Sequence, residues 1–260
     1  TGMAFSETGV ARGGMGIDAA DYDRSGRQSL VVGNFANEMV ALYRNEGNQL
    51  FVDVAPVSQL GRETMLSLTF GAFFYDFDLD GWLDILALNG HLDADIERVQ
   101  PKVRYAQPAQ LFRNAGGGDF RQMDAETAGD LVVPRVGRGA AYGDLDGDGD
   151  LDLVLTTNGG PAVLLENQGA HGNWLQVVPR GRSSKRDGLG AGVTIEAGGA
   201  SQSWLVRTGS SYLSQSQVWP TFGLGDATVV ERVSVVWPSG ETSELTAVEA
   251  NQRVEVVEGE

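Results

Sequence analysis

Five carboxylates fall within nine residues of the chain, from Asp144 to Asp152. Without a counter-ion, like charges this close together would repel one another and make folding costly. A hard divalent cation removes that difficulty, because carboxylate oxygens are the ligands that Ca²⁺ prefers. Calcium loops place ligands at alternate positions and a glycine at the sixth, where the chain turns sharply. The residues at positions 1, 3, 5, 6 and 9 are Asp144, Asp146, Asp148, Gly149 and Asp152.

The loop differs from an EF-hand in how it ends. An EF-hand loop closes with a glutamate at about position 12 and is flanked by helices. Here Asp152 closes the loop at position 9, and the apolar run Leu153–Leu155 follows at once. Such a run predicts a buried β-strand, so we expect a calcium loop that leads into a sheet. Asp150, at position 7, is expected to offer its backbone carbonyl to the ion and to point its carboxylate outward.

The same loop occurs twice earlier in the chain. The second copy matches at every ligand position, and Trp82 at position 7 is expected to coordinate the ion through its backbone carbonyl. The first copy has serines at positions 5 and 9, so we expect it to bind calcium weakly or to be empty. The candidate ligand positions are Asp76, Asp78, Asp80, Trp82 and Asp84 in the second loop, and Asp21, Asp23, Ser25, Arg27 and Ser29 in the first.

These loops belong to a longer internal repeat. Each has a glycine five residues before its first aspartate and an Asn-x-Gly motif after the strand that follows it. Asp21 and Asp76 lie 55 residues apart, and a polar insertion between His91 and Gln110 explains the longer spacing from Asp76 to Asp144. Repeats must be recognised before a fold is assigned. The three units are residues 1–60, 61–128 and 129–172.

From residue 173 onward the chain contains short apolar runs, such as Trp174–Val178 and Val229–Trp237, separated by glycine-rich turns. Such runs predict β-strands. The glycines at 188, 190 and 192 do not form a dinucleotide-binding fingerprint, because the third comes too early and no strand precedes them. Residues 173–260 are therefore predicted to form a separate small β domain.

The composition excludes several classes of protein. The formal net charge is −16, so a nucleic-acid partner, which requires a basic surface, is not expected. The chain has no cysteine, which excludes disulfides and thiolate metal sites. No apolar run approaches the roughly 18 residues of a membrane span. Because such calcium loops suit an environment richer in calcium than the cytosol, we expect an extracytoplasmic location: periplasmic, cell-surface or secreted.

Two parts of the chain resemble known families. The Asp-x-Asp-x-Asp-Gly-x-x-Asp loops resemble the FG-GAP/VCBS repeats of β-propellers, including those of integrin α-chains. The tail resembles the ASPIC/UnbV domain that follows such repeats in the cartilage acidic protein family and its bacterial relatives. The resemblance implies bound Ca²⁺, an extracytoplasmic location and a role in binding or scaffolding. The stretches that carry it in the tail are Gly188-Leu-Gly-Ala-Gly192, Gly209-Ser-Ser-Tyr-Leu-Ser-Gln215, Phe222-Gly-Leu-Gly225 and Val235-Val-Trp-Pro-Ser-Gly240.

The expected fold is all-β: a partial β-propeller of three FG-GAP-type blades, followed by a small β-sandwich-like C-terminal domain. Three blades cannot close a ring, since propellers have roughly four to eight. An uncovered blade face would expose a large apolar patch. We therefore expect residues 1–60 to abut further blades or another protein subunit, and the chain to act as a calcium-stabilised interaction or scaffolding module, for instance an accessory subunit of a larger assembly.

The alternative function is a propeller protein that binds or processes polysaccharide. The sequence has no Gly-x-Ser-x-Gly, His-Glu-x-x-His or cysteine nucleophile to support catalysis. His91 and His171 are its only histidines, and both lie in turn-rich sequence. Carboxylates committed to Ca²⁺ have depressed pKa values and are poor proton carriers. We therefore predict that the protein is not an enzyme.

Overall fold

The computed structural model describes residues 2–3, 5–6, 9–169 and 171–260, and most of its regular elements are β-strands. The all-β prediction is confirmed. Among the described residues, no helix has both the length and the hydropathy needed to cross a membrane. The helical elements are α1 (Gln59–Thr64), α2 (Ile96–Val99), α3 (Ala125–Ala128) and the 3₁₀ turns Ala55–Val57 and Gly129–Val132.

Three antiparallel sheets, here called the first, second and third blade sheets, follow one another along the chain. In each, the strands lie in sequence order, as expected for propeller blades. The first contains β1 (Ile17–Ala20), β2 (Ser29–Val32), β3 (Ala41–Gly47) and β4 (Leu50–Asp53). The second contains β5 (Thr69–Tyr75), β6 (Asp84–Asn89), β7 (Gln110–Asn114) and β8 (Phe120–Gln122). The third has only β9 (Gly137–Gly143), β10 (Asp152–Thr157) and β11 (Val163–Leu165).

The second blade sheet is buried on both faces because its side chains alternate between its two neighbours. Ile85 and Phe112 pack with residues of the first sheet, and Leu86 and Leu111 pack with residues of the third. Every residue of β5 and β6 is buried. Burying one large apolar side chain contributes about 1.5–3 kcal/mol, so these two cores hold the three sheets in a stack. Each carboxylate loop joins the first two strands of its sheet and is positioned by that stack.

The C-terminal part of the chain forms a sandwich of two sheets around a separate core, as predicted. One sheet has the order β15–β12–β18, in which β12 and β18 run parallel, and the other has the order β14–β13–β16–β17. The strands are β12 (Asn173–Arg180), β13 (Gly192–Ala197), β14 (Ala200–Leu205), β15 (Thr221–Gly225), β16 (Val229–Val236), β17 (Thr242–Glu249) and β18 (Gln252–Val257).

One segment of the sandwich, residues 207–217, reaches the first strands of all three blade sheets; we call it the axis hairpin. Ser211 and Ile17 exchange backbone hydrogen bonds of 3.0 and 3.4 Å, which joins the hairpin to β1. The Tyr212 ring meets Phe70 of β5 edge-on, with centroids 4.9 Å apart. Gln217 donates its N–H to the Tyr142 carbonyl of β9 at 2.9 Å. Because β1, β5 and β9 lie side by side, the hairpin occupies the place of a propeller's central axis.

The insertion of the second unit is only partly the exposed excursion that its polar sequence suggests. Most of its side chains are exposed, but Ile96 and Val103 are buried and pin it to the body of the protein. His91, at its start, is also buried, and its Nδ1 accepts a hydrogen bond from the Asp93 N–H at 3.0 Å. That imidazole nitrogen is therefore used to shape the turn.

Candidate metal centres

The second loop gathers three carboxylates in a largely buried place. Oxygens of Asp76, Asp78 and Asp84 lie within 4.8 Å of one another. Asp76 is 2% exposed and Asp84 is fully buried. One oxygen of Asp76 and one of Asp78 are buried without a hydrogen-bond partner. Buried, unpaired carboxylate oxygens are costly, whereas an all-oxygen donor set of this kind fits Ca²⁺ well.

Electrostatics in the second loop favour a cation strongly. Burial raises the pKa of Asp76 and of Asp84 well above the usual value, and the charges of neighbouring carboxylates raise both further. The pKa of Asp78 is also raised by burial and by Asp80, against the opposing effect of Arg113. A divalent cation at this place would offset both causes, because it attracts the ionised form of each carboxylate.

Asp80 and Trp82 lie differently from the other predicted positions of this loop. Asp80 is outside the group of three; its Oδ2 pairs with Arg113 at 2.7 Å and its Oδ1 accepts the Trp82 N–H at 2.8 Å. The Trp82 ring is half-buried beneath the guanidinium of Arg24, 3.8 Å from its centroid. Coordination by the Trp82 carbonyl and by Asp80 stays a prediction.

The third loop gathers its carboxylates nearer to solvent. Oxygens of Asp144, Asp146 and Asp148 lie within 4.8 Å of one another, and the latter two side chains belong to exposed residues. The Asp144 side chain is only 1% exposed, and its Oδ2 accepts a hydrogen bond of 2.7 Å from Gln176 of the C-terminal domain. This loop is therefore a second candidate calcium site, with one ligand held by the other domain.

The prediction that Asp150 points outward is wrong. Asp150 is only 7% exposed, and its Oδ1 is buried without a hydrogen-bond partner. Burial raises the pKa of Asp150 to about 7, with further contributions from Asp148 and the other loop carboxylates. The C-terminal domain covers this side of the loop: a Cβ added to Gly149 would lie 1.8 Å from the Trp174 ring. That cover, which excludes solvent, was not visible in the loop sequence.

The first loop is organised without a third carboxylate. Asp21 accepts hydrogen bonds from the Ser25 N–H at 2.9 Å and the Gly26 N–H at 2.8 Å. Arg27 at position 7 is exposed and donates to the Asn45 carbonyl. Asp21, Asp23 and Ser25 do not appear among the described carboxylate clusters that could hold an ion. Weak or absent calcium binding at this loop stays a prediction.

Position 9 has a structural task that the spacing alone did not reveal. Its side-chain oxygen accepts the backbone N–H of the Asn-x-Gly asparagine in every unit. This bond ties each loop to the end of the third strand of its sheet; a serine accepts it in the first loop and an aspartate in the other two. The pairs are Ser29 with Asn45 at 3.0 Å, Asp84 with Asn114 at 2.8 Å, and Asp152 with Asn167 at 2.9 Å.

The asparagine of the Asn-x-Gly motif links neighbouring blade sheets. Asn114 donates its side-chain amide to the Tyr22 carbonyl in the first loop at 3.0 Å. Asn167 donates in the same way to the Phe77 carbonyl in the second loop at 2.7 Å. Each asparagine also accepts the N–H of the glycine two residues later, which closes the turn. The repetition of Asn-x-Gly was the sequence signal for this link.

The second loop is also the contact point with the C-terminal domain. A Cβ added to Gly223 would lie 2.1 Å from Asp76 Oδ2, so only glycine allows β15 to approach the loop this closely. Gly225 donates its N–H to the Leu79 carbonyl at 2.9 Å. Leu79, buried at position 4, has φ 59°, an uncommon conformation for leucine that tertiary contacts must maintain.

Comparison with known proteins finds a family match within each part of the chain. Residues 21–87 match the FG-GAP-like repeat, and residues 181–260 match the ASPIC and UnbV domain. Cartilage acidic protein 1 of Homo sapiens is 28% identical over 255 residues, which are 94% of this chain and 36% of that protein. The Mus musculus protein is also 28% identical, over 94% of this chain and 37% of its own length. The chain therefore spans little more than a third of these relatives.

One solved structure is similar to this chain at a low level. The V. cholerae biofilm matrix protein Bap1 is 12% identical, with 94% of this chain and 42% of that chain covered and a TM-score of 0.34. The match to the two domain families agrees with the blade sheets and the sandwich seen here. The chain thus carries an FG-GAP-like repeat followed by an ASPIC and UnbV domain, the architecture of its homologue cartilage acidic protein 1.

Proposed function

We propose that this chain is a calcium-stabilised, extracytoplasmic interaction or scaffolding module that serves a larger assembly. FG-GAP-like repeats and an ASPIC and UnbV domain suggest an extracellular protein-interaction module. The observation that carries the calcium proposal is the second loop, where buried oxygens of Asp76 and Asp78 lack any hydrogen-bond partner. In that setting a hard cation converts a folding penalty into folding energy.

The proposed ion is structural. Asp76, Asp78 and Asp84 would hold it in the second loop, and Asp144, Asp146 and Asp148 in the third. When bound, Ca²⁺ supplies positive charge that stabilises the ionised carboxylates. Both loops also contact the C-terminal domain. Neutralising the carboxylate charge in the loops should therefore stabilise the contact between the two domains.

The proposed partner is a protein or a carbohydrate. The outer face of the first blade sheet supports a protein partner, because Ile17 there is 49% exposed beside the half-buried Leu30 and Val32. These residues line a cleft of about 300 Å³ with Met3, Phe5 and Tyr43. Apolar patches of this kind mark interaction sites on soluble proteins. An extracytoplasmic location is proposed from the calcium requirement of the loops and the family match.

The test is thermal unfolding with calcium and with chelator. A ligand present at about 100 times its Kd stabilises a protein by about 2.7 kcal/mol, which for a chain of this size is a rise in Tm of roughly 5–10 °C. Asp76→Asn should abolish most of that rise. Asp119→Asn is the matched control, because Asp119 is exposed and its ion pair in the described part of the chain is with Arg121. Identical Tm values with calcium and with chelator would refute the proposal.

A further inference from the structure

Within the described residues, the third blade sheet has three strands, whereas the first and second have four. In the first and second sheets, an outer strand pairs with the third: Asn45 faces Phe51, and Asn114 faces Phe120. Asn167 occupies the corresponding place in the third sheet, where no described residue pairs with the free edge of β11. An unpaired strand edge is a ready template for another strand.

In the second sheet the outer strand does more than cover an edge. Phe120 of β8 is 1% exposed and packs between the first and second sheets. Its ring lies 5.4 Å from that of Tyr22, which stands at position 2 of the preceding loop. The outer strand therefore inserts an aromatic side chain into the core between two blade sheets.

At the corresponding place between the second and third sheets the structure has a cleft of about 610 Å³. Phe77, at position 2 of the second loop, lines this cleft, and Tyr22, at position 2 of the first loop, contacts the Phe120 ring. The wall combines apolar side chains, which suit an aromatic ring, with polar ones such as Asp130, Gln168 and His171. The apolar lining includes Tyr75, Leu111, Leu131, Leu151 and Leu153.

The backbone of β11 is positioned to accept a strand. The Asn167 N–H points towards the inner strand, since it donates to Asp152 Oδ1. Backbone groups alternate in direction along a strand, so the N–H groups of Leu164 and Glu166 point to the open edge. Leu164 is 64% exposed. The hydrogen-bonding edge and the apolar cleft therefore lie side by side.

The charge at this edge indicates what kind of strand fits. In the second sheet Arg113 faces Arg121, the residue after Phe120. Glu166 takes the place of Arg113 in the third sheet, two positions after Leu164. An incoming strand with a basic residue after its aromatic residue would therefore gain a favourable cross-strand pair.

We propose that an extended segment of a partner protein completes the third blade sheet by pairing with β11 as a fourth strand. An aromatic side chain of that segment enters the cleft, and the basic residue that follows it pairs with Glu166. This inference rests on the proposed interaction role and names one surface for it. The proposed strand site does not depend on the loop carboxylates that would bind calcium.

The test uses a fluorescent peptide that copies residues 117–123, the outer strand of the second sheet with its Phe120 and Arg121. Fluorescence anisotropy with the full chain should show saturable binding below about 1 mM, and a peptide with alanine in place of the phenylalanine should bind at least roughly tenfold more weakly. Leu164→Pro should abolish binding without lowering the Tm, because Leu164 lines the cleft but is 64% exposed, and proline there removes an outward N–H and no hydrogen bond within the sheet. Glu166→Lys should weaken binding, and Glu231→Lys, an exposed control, should not.

The location is tested by photo-crosslinking, with a benzophenone ring in place of the phenyl ring of the peptide. Mass spectrometry should find the crosslinks at residues that line the cleft, such as Phe77 and Leu131. Absence of binding at about 1 mM, binding unchanged by Leu164→Pro, or crosslinks outside the cleft would each overturn the inference. The calcium dependence of the Tm is measured separately, so failure of the strand site and failure of the calcium proposal remain distinguishable.

Discussion

The loop carboxylates perform two different tasks, although their spacing makes them look equivalent. Asp76 and Asp78 each keep a buried oxygen unpaired, as an ion ligand requires. Asp84 and Asp152 use one oxygen to hold the third strand of their sheet. Ser29 retains that second task in the first loop. A loop with serine at position 9 can therefore keep its fold while it loses a carboxylate.

Gly223 offers a test of the contact between the second loop and the C-terminal domain. Gly223→Ala should lower the free energy of unfolding by about 1–3 kcal/mol, the usual cost of overpacking, because its new Cβ would lie 2.1 Å from Asp76 Oδ2. Gly192→Ala is the matched control, since its Cβ would meet nothing within 4 Å. Denaturant titration measures both. Equal effects of the two substitutions would show that the close contact between β15 and the second loop does not limit the size of the residue at position 223.

The Asp18–Arg207 pair offers a second test at this scale. Asp18 is 3% exposed and receives hydrogen bonds from Arg207 at 2.7 Å and from the Phe74 N–H at 2.9 Å. Arg207→Ala leaves a buried charge without its partner, so the free energy of unfolding near pH 8 should fall by about 3–5 kcal/mol. Adding Asp18→Asn to that variant should recover much of the loss. A double variant no more stable than Arg207→Ala would contradict this account.

The pH dependence of this effect follows from the pKa of Asp18. Burial raises it from 3.8 to about 6, although Arg207 opposes the rise. Because the folded pKa exceeds the unfolded one, the folded protein binds the proton more tightly and loses stability as pH rises through about 6. The destabilisation caused by Arg207→Ala should therefore be smaller at pH 5 than at pH 8, where Asp18 must be ionised.

At the scale of elements, the Asn-x-Gly turns hold the blade sheets in register with one another. Asn114 is fully buried and bonds to carbonyls of Tyr22 and Leu83, in two different loops. Asn45 is half-buried, and its amide bonds to the Gln28 carbonyl within its own loop. The same motif therefore connects two sheets in one place, whereas in the other its side-chain bonds stay within its own unit.

This difference predicts unequal costs of the same substitution. Asn114→Ala should lower the free energy of unfolding by about 2–3 kcal/mol, because it leaves buried carbonyls of two loops without a donor. Asn45→Ala should cost about 1 kcal/mol. Chemical denaturation of the two variants gives the comparison. A larger loss for Asn45→Ala would mean that the link between the first two sheets contributes little to the free energy of unfolding.

At the scale of the whole molecule, the axis hairpin and the second loop connect the C-terminal domain to the blade sheets at separate places. The hairpin reaches β1, β5 and β9, while β15 lies on the second loop. The carboxylates buried beneath these contacts therefore affect the stability of the assembled chain, and calcium is expected to change how that stability depends on pH.

In chelator, the Tm should rise as the pH is lowered from about 8 towards 5. Burial raises the pKa values of Asp76 and Asp84 well above 3.8 and that of Asp150 to about 7. The folded protein then binds more protons than the unfolded chain, so stability falls as pH rises. With calcium the slope should reverse, because calcium requires deprotonated ligands. Calorimetry at several pH values measures the slope of Tm against pH in chelator and in calcium. Slopes of the same sign would contradict the proposal that these loops bind calcium.

Much of this protein was predictable from local spacing. The carboxylates at alternate positions, the following apolar runs and the repeated Asn-x-Gly motifs predicted an all-β chain with three repeated units, because ligand spacing and strand periodicity are properties of a few consecutive residues. The change of pattern near residue 173 predicted a C-terminal β domain, and the residues that follow form a core cluster of their own.

Only the tertiary structure decided how these parts meet. Asp150 is buried because Trp174 and its domain cover the third loop, and nothing in the loop sequence records that cover. Asp18 and Arg207 are 189 residues apart in the chain, so their pairing depends on the path of the axis hairpin. The open edge of β11 likewise appears only when the three sheets are compared in space. Burial, charge pairing and strand completion depend on distant contacts, which local patterns cannot specify.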